Sequence, residues 1–167
     1  AYDALPAEEA LTRGKAAAGK ALELDDGLAS AHYALATVYT WYDWDWRSAE
    51  REFHRALELN PNDALGRNWH SGYLSLRRRH EEAIGEQERA SDLDPLSLII
   101  SAGVADVLFI AHRFDEAMRQ LQKTLEMDPN FAMAHYQRGQ VLVQQHKLDA
   151  AISEFQRAIE LAGHSPA

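Results

Sequence analysis

The 167-residue chain contains no cysteine. That excludes disulfide staples, thiolate nucleophiles and cysteine metal sites together. Basic residues are scarce as well: 17 Lys and Arg stand against 26 Asp and Glu, a formal net charge of −9. A surface that tracks nucleic-acid phosphates needs clustered cations, so no nucleic-acid partner is expected. The densest basic run, Arg77-Arg78-Arg79, reads as a solvated turn between helices. No apolar stretch reaches the roughly 18 residues of a membrane span, and no membrane insertion is expected. The longest apolar-rich stretch, Leu96 to Ala111, is interrupted by Ser97, Ser101 and Asp106 and reads as a buried helix.

Catalytic signatures are missing too. There is no Gly-rich phosphate loop and no Gly-x-Ser-x-Gly elbow. The eight histidines are scattered and do not pair at metal-ligand spacing with a third ligand, so neither a metal nor a cofactor is expected. His32 and His135 read as filler for a bulky helix position. Carboxylates such as Glu50 and Glu52, Glu81 and Glu82, or Asp115 and Glu116 read as solvated helix faces. No catalytic residue emerges, and the chain reads as something other than an enzyme. It opens at Ala1 with neither an initiator methionine nor a signal-peptide pattern. The expectation is a piece of a longer, cytoplasmic protein.

What is present is a period. Pro61, Pro95 and Pro129 stand 34 residues apart. Each closes a similar phrase: Arg55-Ala-Leu-Glu-Leu-Asn-Pro61, Arg89-Ala-Ser-Asp-Leu-Asp-Pro95 and Lys123-Thr-Leu-Glu-Met-Asp-Pro129. Self-similarity at this interval marks stacked helical hairpins, each burying its apolar face on its neighbours. The register divides a single array into repeats over 29–61, 63–95, 97–129 and 131–163. Residues 6–25 form a lone capping helix that starts at Pro6 with Glu8 and Glu9 near the positive end of the helix dipole. Small residues recur in the second helices at Ala49, Ala83, Ala117 and Ala151. Seven residues on stand Ala56, Ala90, Thr124 and Ala158. Such a stripe lets two helices approach closely.

These phrases resemble the tetratricopeptide repeat. The fourth copy carries its pattern as His135, Arg138-Gly139, Leu142, Ala151, Phe155 and Ala158. The first carries it as His32, Leu35-Ala36, Tyr39, Ala49, Phe53, Ala56 and Pro61. The second copy departs most, with His70-Ser71 and Gln87 at the Leu-Gly and Phe positions. The resemblance implies an all-α, right-handed solenoid of about nine helices and a protein-binding function. The first repeat is one residue longer, in Trp41-Tyr42-Asp43-Trp44-Asp45-Trp46. Asp45 is placed to cap the second helix, and Trp46 falls at a core position. Trp41 and Trp44 either staple the turn or form an aromatic platform. This turn, followed by Asn68-Trp69-His70, is also similar to bacterial regulatory proteins in which the repeats follow a winged-helix, kinase or cyclase domain.

In this family the first helices line a concave groove. Carried across, its lining implies Tyr33, Thr37, Trp41, Asn68, Trp69, Asp106, Tyr136, Gln137 and Gln140 as partner-binding residues. No Lys or Arg falls among these positions, so a clamp for a carboxylate terminus is excluded. An aromatic, aliphatic and amide lining suits an apolar or amphipathic segment of another protein or peptide. The alternative is self-association as a homodimer through the apolar last helix, by Ile152, Phe155 and Ile159.

Overall fold

The computed structural model describes residues 7–163, so the expected helix start at Pro6 lies outside them. Among the described residues the chain is all-α, with nine helices and no strand. They are α1 (Ala7–Leu24), α2 (Ala29–Trp41), α3 (Trp46–Leu59), α4 (Ala64–Leu76), α5 (His80–Leu93), α6 (Leu98–Ile110), α7 (Phe114–Met127), α8 (Ala132–Gln144) and α9 (Leu148–Gly163). Among the described residues the backbone forms two compact units that divide between His70 and Ser71, within α4.

Short polar residues start several helices. Asp45 accepts from the Ser48 amide at 3.1 Å, as its position predicts, and Asp63 accepts from the Gly66 amide at 2.9 Å. Each satisfies a backbone donor that the first helical turn leaves open. The turns inside the hairpins are built alike. Trp44, Arg78, His112 and His146 recur every 34 residues with φ of 55°, 60°, 59° and 59°, a left-handed residue that reverses the chain. The turn from α2 to α3 holds residues 42–45, one more than those at 77–79, 111–113 and 145–147. The extra residue of the first repeat therefore sits in this turn.

In the first unit α1 packs on α2. Lys15 of α1 pairs with Asp43 and lies 4.7 Å above the Tyr39 ring. In each hairpin a small residue on the first helix corresponds to a larger one on the second. Ala36 and Phe53 are fully buried, as are Ala105 and Leu121. At Gly139 the contact is direct: a Cβ there would lie 2.5 Å from Cε1 of Phe155. The second hairpin departs in sequence but solves the same problem with polar groups. Ser71 donates to Oε1 of Gln87 at 2.6 Å, and Nε2 of Gln87 donates to the Ile100 carbonyl at 2.9 Å. A fully buried glutamine is tolerated because both ends of its amide are bonded.

His32 and His135 do more than fill space. Each ring has one nitrogen on a second-helix carboxylate, Glu52 at 2.7 Å or Glu154 at 2.8 Å. The other nitrogen meets a carbonyl of the preceding loop, that of Asp26 at 3.1 Å or Pro129 at 3.0 Å. Arg67, at the same repeat position, donates to the Pro61 carbonyl at 2.7 Å. Burial pushes the Glu154 carboxyl up, but bonds from Arg138 and His135 outweigh it and hold the group below its ordinary value.

Two stability outcomes follow from these contacts. Ser71→Ala removes the 2.6 Å bond to the buried Gln87 oxygen and should cost about 1–3 kcal/mol in urea unfolding. The pair Ser71→Ala with Gln87→Leu copies the third hairpin and should recover most of that loss. Equal costs for the single and double variants would show that the bond does not matter. Gly139→Ala should cost about 1–3 kcal/mol because the Phe155 ring must move; an unchanged midpoint would contradict the close approach.

Candidate protein-interaction site

The residues expected to line a groove meet different fates. In the first unit Tyr33 is 1% exposed and offers no side-chain surface to a ligand, which corrects its placement among accessible groove residues. Its ring sits 6.2 Å from Phe53 and 6.2 Å from Trp69, the latter edge-on. Thr37 is half-buried and donates its hydroxyl to the Tyr33 carbonyl at 2.8 Å. Asn68 is half-buried, while Trp69 and Trp41 keep part of their surface exposed. Trp44 is 60% exposed and stands edge-on to Trp46 at 5.5 Å. Trp46 itself is half-buried, short of the core position expected for it.

In the second unit Tyr136 is half exposed, and Gln140 reaches its hydroxyl at 3.4 Å. Gln137, one turn before Gln140 on α8, is half-buried. Asp106, the lone charge on α6, is exposed. Surrounding protein nevertheless displaces enough water to hold its carboxyl above the ordinary value of 3.8.

A concavity lies at α8 and α9. Ala132, Met133, Tyr136, Phe155, Ala158, Ile159 and Ala162 line an apolar groove of about 610 Å³. The Tyr136 and Phe155 rings stand 5.7 Å apart, tilted by 50°. This brings together two expectations that the sequence kept separate. Tyr136 was assigned to partner binding; Phe155 and Ile159 were assigned to self-association. Ile159 is 72% exposed and Ile152 is 54% exposed. With Leu148 they form a seam, Leu148-Ile152-Phe155-Ile159-Ala162, at alternating spacings of four and three. That spacing is what a partner helix reads. Ala132 and Ala162 were not singled out from sequence, although the seam in α9 could have pointed to Ala162.

Among the described residues, no group of three or more His, Asp or Glu could hold a metal ion. No helix among them is long and apolar enough to cross a membrane. What the arrangement offers is shape and apolar surface.

Paired helices with a recurring left-handed turn and a small-against-large contact define a class, the helical-hairpin repeat proteins. The sequence model of the tetratricopeptide repeat matches residues 41–97 and 105–166, and the chain belongs to that family. A 64-residue stretch is 38% identical to the type IV pilus assembly protein PilF of Pseudomonas aeruginosa, spanning a quarter of that protein. The structure of P. aeruginosa PilF superposes with a TM-score of 0.76 at 23% identity, covering 96% of this chain and 72% of that one. MamA superposes at 0.67 and 19% identity, with 89% and 86% covered. YrrB, described as a repeat protein with an unusual peptide-binding site, superposes at 0.65 and 24% identity, with 93% and 80% covered. These likenesses establish an all-α tetratricopeptide fold, and the family makes the chain a protein-interaction module.

Asp106 gives a pH-dependent outcome. Its pKa is raised in the folded state, so between 3.8 and the raised value the folded chain holds more protons than the unfolded one. Stability therefore falls as pH rises through that window, and the penalty is complete above it. Asp106→Asn should raise the Tm at pH 7 and flatten the pH dependence. A lower Tm at pH 7 would show that the carboxylate is satisfied in the fold.

Proposed function

We propose that the chain is a non-catalytic interaction module that holds an amphipathic helix of a partner protein, apolar side down, in the α8–α9 groove. One observation carries this reading. On the preceding hairpin, Leu121 and Leu125 stand 34 residues before Phe155 and Ile159 and are buried. There α8 packs against both α6 and α7. On α9 the equivalent face presents Ile159 exposed among the described residues. An aliphatic and aromatic seam of this kind is what an amphipathic helix fills.

Charge favours another protein over a second copy. The chain carries a formal net charge of −9, so two copies repel, whereas a partner with basic flanks would be attracted. The concave-face residues Asp106, Gln137 and Gln140 supply a neighbouring polar surface for the same segment.

Panning a helix-forming peptide library on the chain tests the reading. Selected peptides should lose at least about tenfold in affinity against Tyr136→Glu or Ile159→Lys, the loss typical of a central anchor. Circular dichroism should stay unchanged. Binding that survives both substitutions would overturn the assignment. A concentration-dependent mass abolished by Ile159→Lys would give the groove to a second copy.

A further inference from the structure

The chain is acidic, yet one of its pockets gathers cations. A cavity of about 250 Å³ opens where α5 and α7 both pack on α6. Its apolar lining comes from Ile84 and Leu108, which are buried, and from Val104. The rest of the lining is charged or polar, and part of it is already engaged. Arg113 grips Glu116 through two bonds of 2.6 and 2.7 Å, and Gln120 donates to the Ser101 hydroxyl at 3.0 Å. Three charges are left over. Arg119 and Lys123 stand one turn apart on α7, and Glu88 lines the same cavity from α5. None of the three makes a hydrogen bond or a close ion pair among the described residues. Arg119 attracts Glu116, and Glu88 attracts Arg113, without contact.

The other repeats show what is particular here. At the place of Lys123 they carry Arg55, Arg89 and Arg157. Each of these is neutralised on its own helix, by Glu58 at 3.3 Å, Glu86 at 2.6 Å and Glu160 at 3.4 Å. At the place of Arg119, Arg51 pairs with Glu52 at 3.1 Å, while Gly85 and Ser153 carry no charge. At the place of Glu88 stand His54, Gln122 and Gln156. The array therefore ties down its cations at these positions elsewhere and leaves two of them open on α7, with a carboxylate added on α5.

We infer that this pocket binds a small zwitterion of the amino-acid type, with an aliphatic side chain. Its carboxylate accepts charge-assisted bonds from Arg119 and Lys123. Its ammonium group donates to Glu88, and its side chain lies on Ile84, Val104 and Leu108. A polyanion is disfavoured, because Glu88 and Glu116 in the lining repel it. The volume lies below the roughly 300–1,000 Å³ of pockets for drug-sized ligands, which suits a single amino acid. The site is separate from the α8–α9 groove, and neither reading depends on the other.

Calorimetric titration of the intact protein with L-leucine, L-isoleucine and L-valine is the test. Saturable binding of at least one is expected. Removing either pole of that ligand, as its carboxamide or its N-acetyl derivative, should weaken binding at least about tenfold. Arg119→Gln with Lys123→Gln should weaken the parent amino acid equally, with an unchanged circular dichroism spectrum. Glycine should bind at least about fivefold more weakly, for want of a side chain to cover the apolar lining. Glu88→Gln gives the sharpest arm. It should weaken the amino acid and leave the N-acetyl derivative as it was, because that derivative has no ammonium group to lose. No saturable binding of any of the three amino acids overturns the inference. So does a wild-type protein that binds the N-acetyl derivative as tightly as its parent, and so does glycine binding as tightly as the aliphatic ligands.

Discussion

The closeness of two helix axes is the constraint on which the rest depends. A hairpin of short helices has little surface to bury, so its helices must approach until backbone meets side chain. That approach needs a small residue against a large one. Gly139 against Phe155 is the extreme case, with a ring where a Cβ would stand. Alanine with phenylalanine or leucine are milder versions. The second hairpin keeps the volume relation while changing its chemistry, since Ser71 and Gln87 replace dispersion contact with a hydrogen bond. The same rule acts between one hairpin and the next helix, where Gly66 admits the Tyr33 ring.

Close approach alone leaves a hairpin free to slide, because apolar contacts are nondirectional. The polar groups at the first-helix position of His32 and His135 supply direction. Each joins the second helix of its own hairpin to the loop before it, through a carboxylate and a carbonyl. Ser101, at the same repeat position, accepts instead from Nε2 of Gln120 at 3.0 Å and meets Thr124 at 2.8 Å. The link to the second helix survives a change from imidazole to hydroxyl because its partner changes too, from Glu154 to Gln120. Bonds of this kind to partly buried charged groups are each worth about 1.5–3 kcal/mol.

The fold was legible because its constraint is periodic. Prolines and small residues recur at fixed spacing, and each repetition supports the others. The site was less legible because exposure depends on what lies on top. Tyr33 and Tyr136 share a residue type and a repeat position, so a positional rule treats them alike. In the fold Gly66 and Trp69 seal the first, while the second faces the open groove. Nothing in the sequence around residue 33 announces this, since the decisive atom is the one absent from Gly66. Gln87 was likewise read as a departure, because its compensation lies sixteen residues upstream at Ser71. The histidines were read as volume because their two acceptors come from separate segments.

Folding and recognition then become one process in this chain. Seating α4 on Tyr33 and Phe53 is an intramolecular binding event, and the effective concentration of a tethered helix makes it favourable even with modest contacts. The α8–α9 groove presents the same kind of aromatic pair, and on the proposed reading an incoming helix would draw its affinity from apolar contacts and basic flanks. An acidic surface meets the second need by drawing basic segments to it before docking. The ring geometry bears on the first, because Phe155 is packed closely on Gly139 and the Tyr136 ring stands 5.7 Å from it, which would limit the reorganisation that docking costs. The close contact that orders the hairpin therefore also preorganises the surface on which a partner would land.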